Sequence, residues 1–244
     1  MQAGPARDFV LGATLLACDG ELLRFGGQVM KNVAGFDVSR LLCGSLGILG
    51  VITEVSLKVL PLPRAQITVR LELPAAAAIE AFNRWAGEPL PLSGAAWSRG
   101  CAWVRLAGDG AAVRAARERL GGERIDDAAA LDFWSAVRDC RLPLFARDVV
   151  WRLSVPSATP ALELPGEPLI DWGGALRWYA DPPAPLEVRA LAVAAGGTAQ
   201  CWRGPAPAGR FHPLSPAVAT VHTRLKQRFD PHGIFNPGRL VAGL

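Results

Sequence analysis

The chain has 244 residues, of which 50% are hydrophobic and 20% are charged, and its formal net charge is +4 at pH 7. This length allows one large domain or two small ones with a sizeable core. The excess of positive charge is modest and the arginines are scattered, which argues against a nucleic-acid-binding protein.

The cysteines and the apolar stretches indicate the compartment. Five cysteines lie far apart without a Cys-x-x-Cys motif, which argues against a structural metal site and favours a reducing compartment. The longest uncharged hydrophobic stretch, Leu41 to Thr53, is too short to cross a bilayer. Met1 to Asp8 lack the apolar core of a signal peptide. We therefore expect a cytoplasmic protein without a direct membrane span.

The first part of the sequence predicts short elements that end at a proline-rich boundary. In chain order they are a strand at Phe9 to Ala17, a strand at Leu22 to Phe25, a loop at Val29 to Gly35, a helix at Val38 to Cys43 and a strand at Val51 to Leu60. Asp37 is the expected N-cap of the helix. Pro61 and Pro63 end the last strand and mark a boundary or linker.

A glycine-rich segment precedes the last of these strands. Gly44, Gly47 and Gly50 stand three residues apart. Each glycine inside a helix would cost roughly 0.5–1 kcal/mol relative to alanine, so a loop is expected here. The main-chain N–H groups of such a loop can approach a phosphate or a flat heteroaromatic ring closely. The alternative is a tight turn in front of a core strand.

From Ala65 onward, the pattern predicts two passes of alternating strands and helices. The first consists of a strand at Ile67 to Leu73, a helix from Pro74 to Trp85, strands at Ala95 to Arg99 and Ala102 to Leu106, and a helix at Ala111 to Leu120. The second consists of a helix at Ala128 to Cys140, a strand at Val149 to Val155, a hairpin of Leu169 to Trp172 with Ala175 to Tyr179, a helix at Leu186 to Ala195 and a strand at Thr198 to Trp202. This order predicts an α+β fold with one sheet and its helices packed on one face. A last helix is expected from Ser215 to Phe229.

Several stretches resemble a known family over essentially the whole chain. They are Arg7 to Gly12, Gly27 to Pro63, Leu164 to Trp178 (with the run Asp-Trp-Gly-Gly-Ala-Leu-Arg-Trp) and Phe235 to Arg239. They closely resemble the FAD-binding subunit of bacterial glycolate oxidase, a member of the vanillyl-alcohol-oxidase-like (PCMH-type) flavoprotein superfamily.

The resemblance implies a domain organisation. Residues 1–63 are expected to form the second subdomain of a partial PCMH-type FAD-binding domain. Residues 64–210 are expected to form an α+β cap domain with an antiparallel sheet, and residues 211–244 a helix and tail that return towards the FAD domain. Family members begin with a further segment whose glycine-rich loop holds the FAD pyrophosphate. Since nothing before Arg7 resembles that loop, we expect the chain to correspond to the family's C-terminal part.

The resemblance also implies where FAD is held. The main chain from Gly47 to Ile52 is expected to lie along the cofactor, and Ser45 can donate to phosphate or simply cap the turn. The loop with Lys31 and Asn32 can contact cofactor or substrate, or remain solvated. The residues expected to bind FAD are Asn32, Ser45, Gly47, Gly50, Val51, Ile52 and Asn236. The sequence singles out no catalytic residue and no metal site.

Asp171 and Arg177 lie in the predicted hairpin of Leu169 to Trp172 with Ala175 to Tyr179. Arg177 can bind a carboxylate through two hydrogen bonds. Alternatively, Arg177 forms a structural pair with Asp171 across the hairpin, and we expect this second arrangement because such pairs are common between strands.

By resemblance, the chain is expected to act in a complex that oxidises glycolate or a similar 2-hydroxy acid to the 2-oxo acid. The expected partners are a homologous flavin subunit and an iron–sulfur subunit, and the complex can lie at the periphery of the inner membrane. The alternative is a non-catalytic assembly subunit or a truncated remnant that cannot hold FAD.

Overall fold

The computed structural model describes residues 4–30, 35–182, 184–206, 209–241 and 243. The chain forms two compact units. The small unit comprises Gly4–Pro61 and Pro213–Leu244, and the large unit comprises Leu62–His212.

The described residues contain both helices and strands. The helices are α1 (Val38–Leu41), α2 (Ala75–Ala86), α3 (Gly110–Leu120), α4 (Asp127–Arg138), α5 (Pro185–Ala194) and α6 (Pro216–Phe229). The strands are β1 (Val10–Leu16), β2 (Leu22–Gly26), β3 (Val51–Leu57), β4 (Ala65–Glu72), β5 (Leu92–Ser98), β6 (Cys101–Gly108), β7 (Glu123–Ile125), β8 (Val150–Ser154), β9 (Leu169–Asp171), β10 (Leu176–Ala180) and β11 (Thr198–Arg203). This mixture, with antiparallel sheets, confirms the α+β fold class.

The small unit is built on a three-stranded antiparallel sheet in the order β2-β1-β3. The central strand β1 is mostly buried, as its apolar run predicts. Its residues Ala13 and Leu15 form a core with Leu42, Ile48 and Leu49. The core therefore includes the glycine-rich segment itself.

β3 ends at Leu57, three residues before the predicted end. Its last ladder pair joins Leu57 to Val10, the first residue of β1, and the N–H of Lys58 donates to the carbonyl of Phe9. The strand stops because its partner strand begins there, which its own sequence does not reveal.

The large unit contains an eight-stranded sheet in the order β11-β8-β10-β9-β5-β6-β4-β7, and every adjacent pair of strands is antiparallel. The hairpin of β5 and β6 turns at Arg99 and Gly100, which both have positive φ. The two strands predicted on either side of this turn are confirmed, and a two-residue turn with positive φ at both positions matches their twist.

The helices of the large unit lie on both faces of its sheet, so the prediction of helices on one face is wrong. α2 and α3 pack against Val104 and its neighbours on β6. α4 packs on the opposite face, where the rings of Phe133 and Trp103 stack with centroids 4.0 Å apart. Trp103 and Val104 point to opposite faces because side chains alternate along a strand. Apolar spacing shows which side of a helix is buried, but not which face of a sheet it covers.

Arg177 does not pair with Asp171, contrary to the expected arrangement. Arg177 lies opposite Ile170 in the ladder, whereas Asp171 lies opposite Leu176, so the two charged side chains point to different faces. The buried Arg177 guanidinium instead donates to main-chain carbonyls of Gly174, Pro160 and Thr159 at 2.7, 3.1 and 2.6 Å.

Candidate functional site

The glycine-rich segment forms an irregular loop between α1 and β3. Asp37 caps α1 by accepting from the N–H of Arg40 at 3.3 Å, as predicted. The loop then passes through positive φ at Gly44, Gly47 and Gly50 and also at Leu46, a non-glycine residue. Such backbone angles favour glycine and explain why the segment cannot continue as a helix.

Several N–H groups of this loop have no acceptor among the described residues. The N–H groups of Leu46, Gly47, Leu49 and Gly50 donate to no described residue. Leu49 and Gly50 are also buried. Buried N–H groups are nearly always paired, so the donors of Leu49 and Gly50 indicate an acceptor outside the described residues. The N–H groups of Leu46 and Gly47 lie on the more exposed side of the loop.

The end of α6 holds the loop in place. Lys226 is buried, and its ammonium donates to the carbonyl of Ile48 at 2.8 Å and to the carbonyl of Phe235 at 2.7 Å. It also donates to Oδ2 of Asp230 at 2.6 Å. A single side chain thereby links the loop, the helix and the C-terminal tail.

Asp230 completes this arrangement. Its carboxylate accepts from the N–H groups of Ile234 and Phe235 at 3.1 and 2.8 Å. Burial acts to raise the pKa of Asp230, but the hydrogen bond from Lys226 and the two N–H donors hold that pKa below its usual value. The carboxylate is therefore ionised at neutral pH and shapes the turn that follows α6.

Asn236 lies next to the loop, as part of the tail. Its side-chain amide donates to the carbonyl of Leu46 at 2.7 Å. A Cβ at Gly47 would stand 2.9 Å from the Asn236 amide nitrogen, a distance that real Cβ atoms almost never show. Glycine at position 47 is therefore needed both for its backbone angle and for this contact.

Glycine is also required at position 50, in this case because of the contact between the loop and β1. A Cβ there would stand 2.8 Å from the carbonyl oxygen of Leu16 and 2.9 Å from the side chain of Leu15. The close approach of the loop to β1 thus depends on the missing side chain.

Val51 and Ile52 begin β3 and have exposed side chains, at 48% and 45%. Ser45 is buried, and its hydroxyl forms no hydrogen bond with any described residue. Both observations leave room for a ligand along this edge of the loop.

The structure brings most of the predicted site residues together. Ser45, Gly47 and Gly50 share the loop, and Asn236 contacts it across 190 positions of sequence. Asn32 lies outside the described residues. The sequence analysis missed Lys226 and Asp230. Their spacing of four residues at the end of a helix was the available signal, but the loop carbonyl that Lys226 binds lies 178 positions away.

No helix among the described residues combines the length and the apolar composition needed to cross a membrane. No group of three or more histidine, cysteine or acidic side chains there is placed to hold a metal ion.

The sequence is similar to subunits of glycolate oxidase. It is 47% identical over 243 residues to glycolate oxidase subunit GlcE of Escherichia coli K12, which covers 99% of this chain and 68% of that protein. A stretch of 69 residues is 39% identical to glycolate oxidase subunit GlcD of Bacillus subtilis, covering 28% of this chain and 15% of that protein. No protein-family model matches the sequence.

The fold is similar to that of a solved enzyme, an alkyldihydroxyacetonephosphate synthase. The TM-score is 0.61 at 15% sequence identity, over 97% of this chain and 55% of that one. This likeness confirms the fold expected from the flavoprotein superfamily. The chain spans about half the length of that solved chain.

Proposed function

The chain belongs to the family of glycolate oxidase subunit GlcE, and from that premise we propose that it is the FAD-binding subunit of a glycolate oxidase complex. The complex oxidises glycolate or a similar 2-hydroxy acid to the 2-oxo acid. FAD, when bound, supplies the two-electron acceptor.

One observation carries the proposal, namely the four main-chain N–H groups, at Leu46, Gly47, Leu49 and Gly50, that have no acceptor among the described residues. Phosphate oxygens and the heteroatoms of a flavin ring are suitable acceptors for such donors. Because these N–H groups are fixed by the protein, they lose little entropy when a ligand binds. The chemistry of the loop therefore fits FAD.

We assign roles to the remaining predicted residues on the same basis. The Ser45 hydroxyl donates to a phosphate oxygen, and the main chain of Val51 and Ile52 lies along the ring. Asn236 positions the Leu46 carbonyl by donating a hydrogen bond to it, and we assign it a contact with the cofactor because it lies against the loop. Asn32, which lies outside the described residues, is also assigned a contact with the cofactor.

We also propose the domain roles. The small unit is the C-terminal part of a PCMH-type FAD-binding domain, and the large unit is the cap domain. α6 and the tail belong to the small unit, which supports their assignment to the FAD domain.

The proposed partners are a homologous flavin subunit and an iron–sulfur subunit. The names of the two similar proteins, GlcE and GlcD, support a complex of more than one subunit. We propose that it works in the cytoplasm, where its attachment to the inner membrane is peripheral and is made through these partners.

The test is a titration of the purified full chain with FAD, followed by the quenching of flavin fluorescence. We expect one FAD per chain and a loss of binding in Gly47→Ala, which disturbs the contact with Asn236. Gly100→Ala is the matched control, because Gly100 also has positive φ but its Cβ would meet no atom within 4 Å. A chain that binds no FAD would overturn the proposal and favour a non-catalytic assembly subunit.

A further inference from the structure

β3 is an edge strand of the small unit, and its outer side has no partner strand among the described residues. The sheet order β2-β1-β3 places β1 on one side of β3 and no described strand on the other. Six of the seven residues of β3 are exposed, and the seventh is half-buried. An edge strand presents unpaired N–H and C=O groups, so it is a ready template for pairing with a further strand.

The main-chain groups that point away from β1 belong to Val55 and Leu57. The N–H of Lys58 donates to the carbonyl of Phe9 and therefore points towards β1. β3 is regular over these residues, because the extra residue at the register shift, Leu11, lies on β1. Main-chain groups alternate in direction along a strand, so the N–H and C=O groups of Val55 and Leu57 point outward. Both residues thus offer a donor and an acceptor at the edge.

The side chains of the same two residues are apolar and uncovered. Val55 and Leu57 are exposed at 50% and 54%. Val55 lies opposite Ala13 in the ladder, and opposite residues share a face of the sheet. Since Ala13 belongs to the core of the small unit, the apolar face of the sheet extends to its edge and is left open there.

The charges of β3 lie on its other face. Glu54 and Lys58 stand two residues before and two residues after Ser56, and side chains alternate between faces along a strand. Neither Glu54 nor Lys58 forms an ion pair with a described residue. The segment is therefore self-complementary about Ser56. When two copies run antiparallel with Ser56 opposite Ser56, Glu54 of each copy lies opposite Lys58 of the other, and Val55 lies opposite Leu57.

We propose that the outer edge of β3 binds a second copy of this chain, and that the two copies form one continuous antiparallel sheet with a two-fold axis at Ser56. In this register, Val55 of one copy and Leu57 of the other exchange two hydrogen bonds, and the symmetric pair does the same. The two Glu54–Lys58 pairs are cross-strand ion pairs, and each copy covers the open apolar edge of the other. The same surface is used on both copies, so the assembly stops at a dimer.

This inference goes beyond the proposed function and does not depend on it, because residues 54–58 lie after the residues assigned to FAD. The paired stretch is short, so we expect a weak dimer whose population depends on concentration.

The test is sedimentation velocity of the full chain over about 1 μM to 1 mM, the range in which a weak interface associates. The mass is expected to rise with concentration from 25.9 kDa towards twice that value. The amide hydrogens of Val55 and Leu57 are expected to exchange more slowly as the dimer forms, since they become hydrogen-bonded.

Charge reversal tests the register. Glu54→Lys and Lys58→Glu are each expected to raise the dissociation constant of the dimer about tenfold or more, because both ion pairs become like-charge contacts. An equimolar mixture of the two variants restores opposite charges in both pairs of a mixed dimer, so the original affinity is expected to return. The double variant Glu54→Lys/Lys58→Glu is expected to dimerise like the original chain for the same reason.

Glu21→Lys is the matched control. It makes the same change of charge at an exposed residue just before β2, the other edge strand, so dimerisation is expected to be unchanged. Leu57→Pro is an independent variant. It removes an N–H that points away from β1, so β3 keeps its ladder with β1 while the dimer is expected to be lost.

Far-UV circular dichroism shows that each variant is folded, and recovery in the mixture provides the same assurance for the two charge reversals. A chain that stays monomeric at 1 mM would overturn the inference. A dimer that the charge reversals leave unchanged, a mixture that does not recover, or an equal weakening in Glu21→Lys would overturn it too, because association would then use another surface.

Discussion

The buried ammonium of Lys226 is the contact on which the glycine loop most depends. We expect Lys226→Met to destabilise the small unit strongly, because the substitution removes three hydrogen-bond donors at once and keeps similar bulk. The side chain of Asp230 is 0% exposed, so the substitution would leave this carboxyl group buried without its cation. The carbonyls of Ile48 and Phe235 would lose their donor as well.

The structure sets the magnitude of this effect. Breaking a buried ion pair by removing one partner costs about 3–5 kcal/mol, since the remaining charge is buried and uncompensated. Total stabilities are about 5–15 kcal/mol, so the loss is a large share of the free energy of unfolding. The two N–H donors to Asp230 remain, which argues for the lower half of the range.

Two optical signals distinguish the units in the assay. All eight tryptophans lie in the large unit, so their fluorescence during urea unfolding reports on that unit. Far-UV circular dichroism also detects α6, the 14-residue helix of the small unit. We expect the dichroism transition to move to lower urea in Lys226→Met, and deuterium uptake at residues 44–52 to rise.

Two variants make this prediction specific. Arg224→Met changes an exposed cation on the same helix and is expected to unfold like the original chain. The double variant Lys226→Met/Asp230→Asn removes the uncompensated charge and is expected to be more stable than Lys226→Met alone. We expect Lys226→Met to lower the free energy of unfolding by about 3 kcal/mol. A decrease of less than about 1 kcal/mol would refute the role of this ion pair.

Three further predictions concern single residues. Gly50→Ala is expected to cost about 1–3 kcal/mol in urea unfolding, since alanine is strained at a φ of 148° and would meet the Leu16 carbonyl; an unchanged midpoint would contradict this. The pKa of Asp230 is lowered in the folded state, so its contribution to the free energy of unfolding is full above about pH 4 and is lost as pH falls through the folded pKa. Asp230→Asn should therefore make the free energy of unfolding less dependent on pH in that range. Because burial raises the pKa of Asp171, Asp171→Asn is expected to raise the fluorescence midpoint at pH 7, and the gain should vanish as pH falls to about 4; a lower midpoint at pH 7 would count against it.

The sequence predicted most elements because their signals are local. The hairpin of β5 and β6 follows from alternating apolar residues around Arg99 and Gly100, and the cap of α1 follows from Asp37. The position of α4 on the sheet is not determined by its local sequence. Its residue Leu131 fits the apolar spacing but is 68% exposed, whereas Phe133 stacks on Trp103. Which face of a sheet a helix covers depends on the path of the whole chain.

The candidate site likewise combines features that local sequence predicts with features that only the fold reveals. Three glycines in a short uncharged segment were sufficient to predict the loop and its free N–H groups. The Lys226 contacts were not predictable in the same way, because an i,i+4 lysine–aspartate pair is common on exposed helix surfaces. Only the fold shows that this pair is buried and that the lysine reaches the carbonyl of Ile48.

The proposed donors for FAD lie in the small unit, at the loop that Lys226 holds. All eight tryptophans lie in the large unit. Changes at Lys226 should therefore weaken FAD binding while the tryptophan fluorescence transition of the large unit keeps its midpoint. A Lys226→Met chain that is folded and binds FAD like the original chain would show that the position of the loop does not depend on this ammonium.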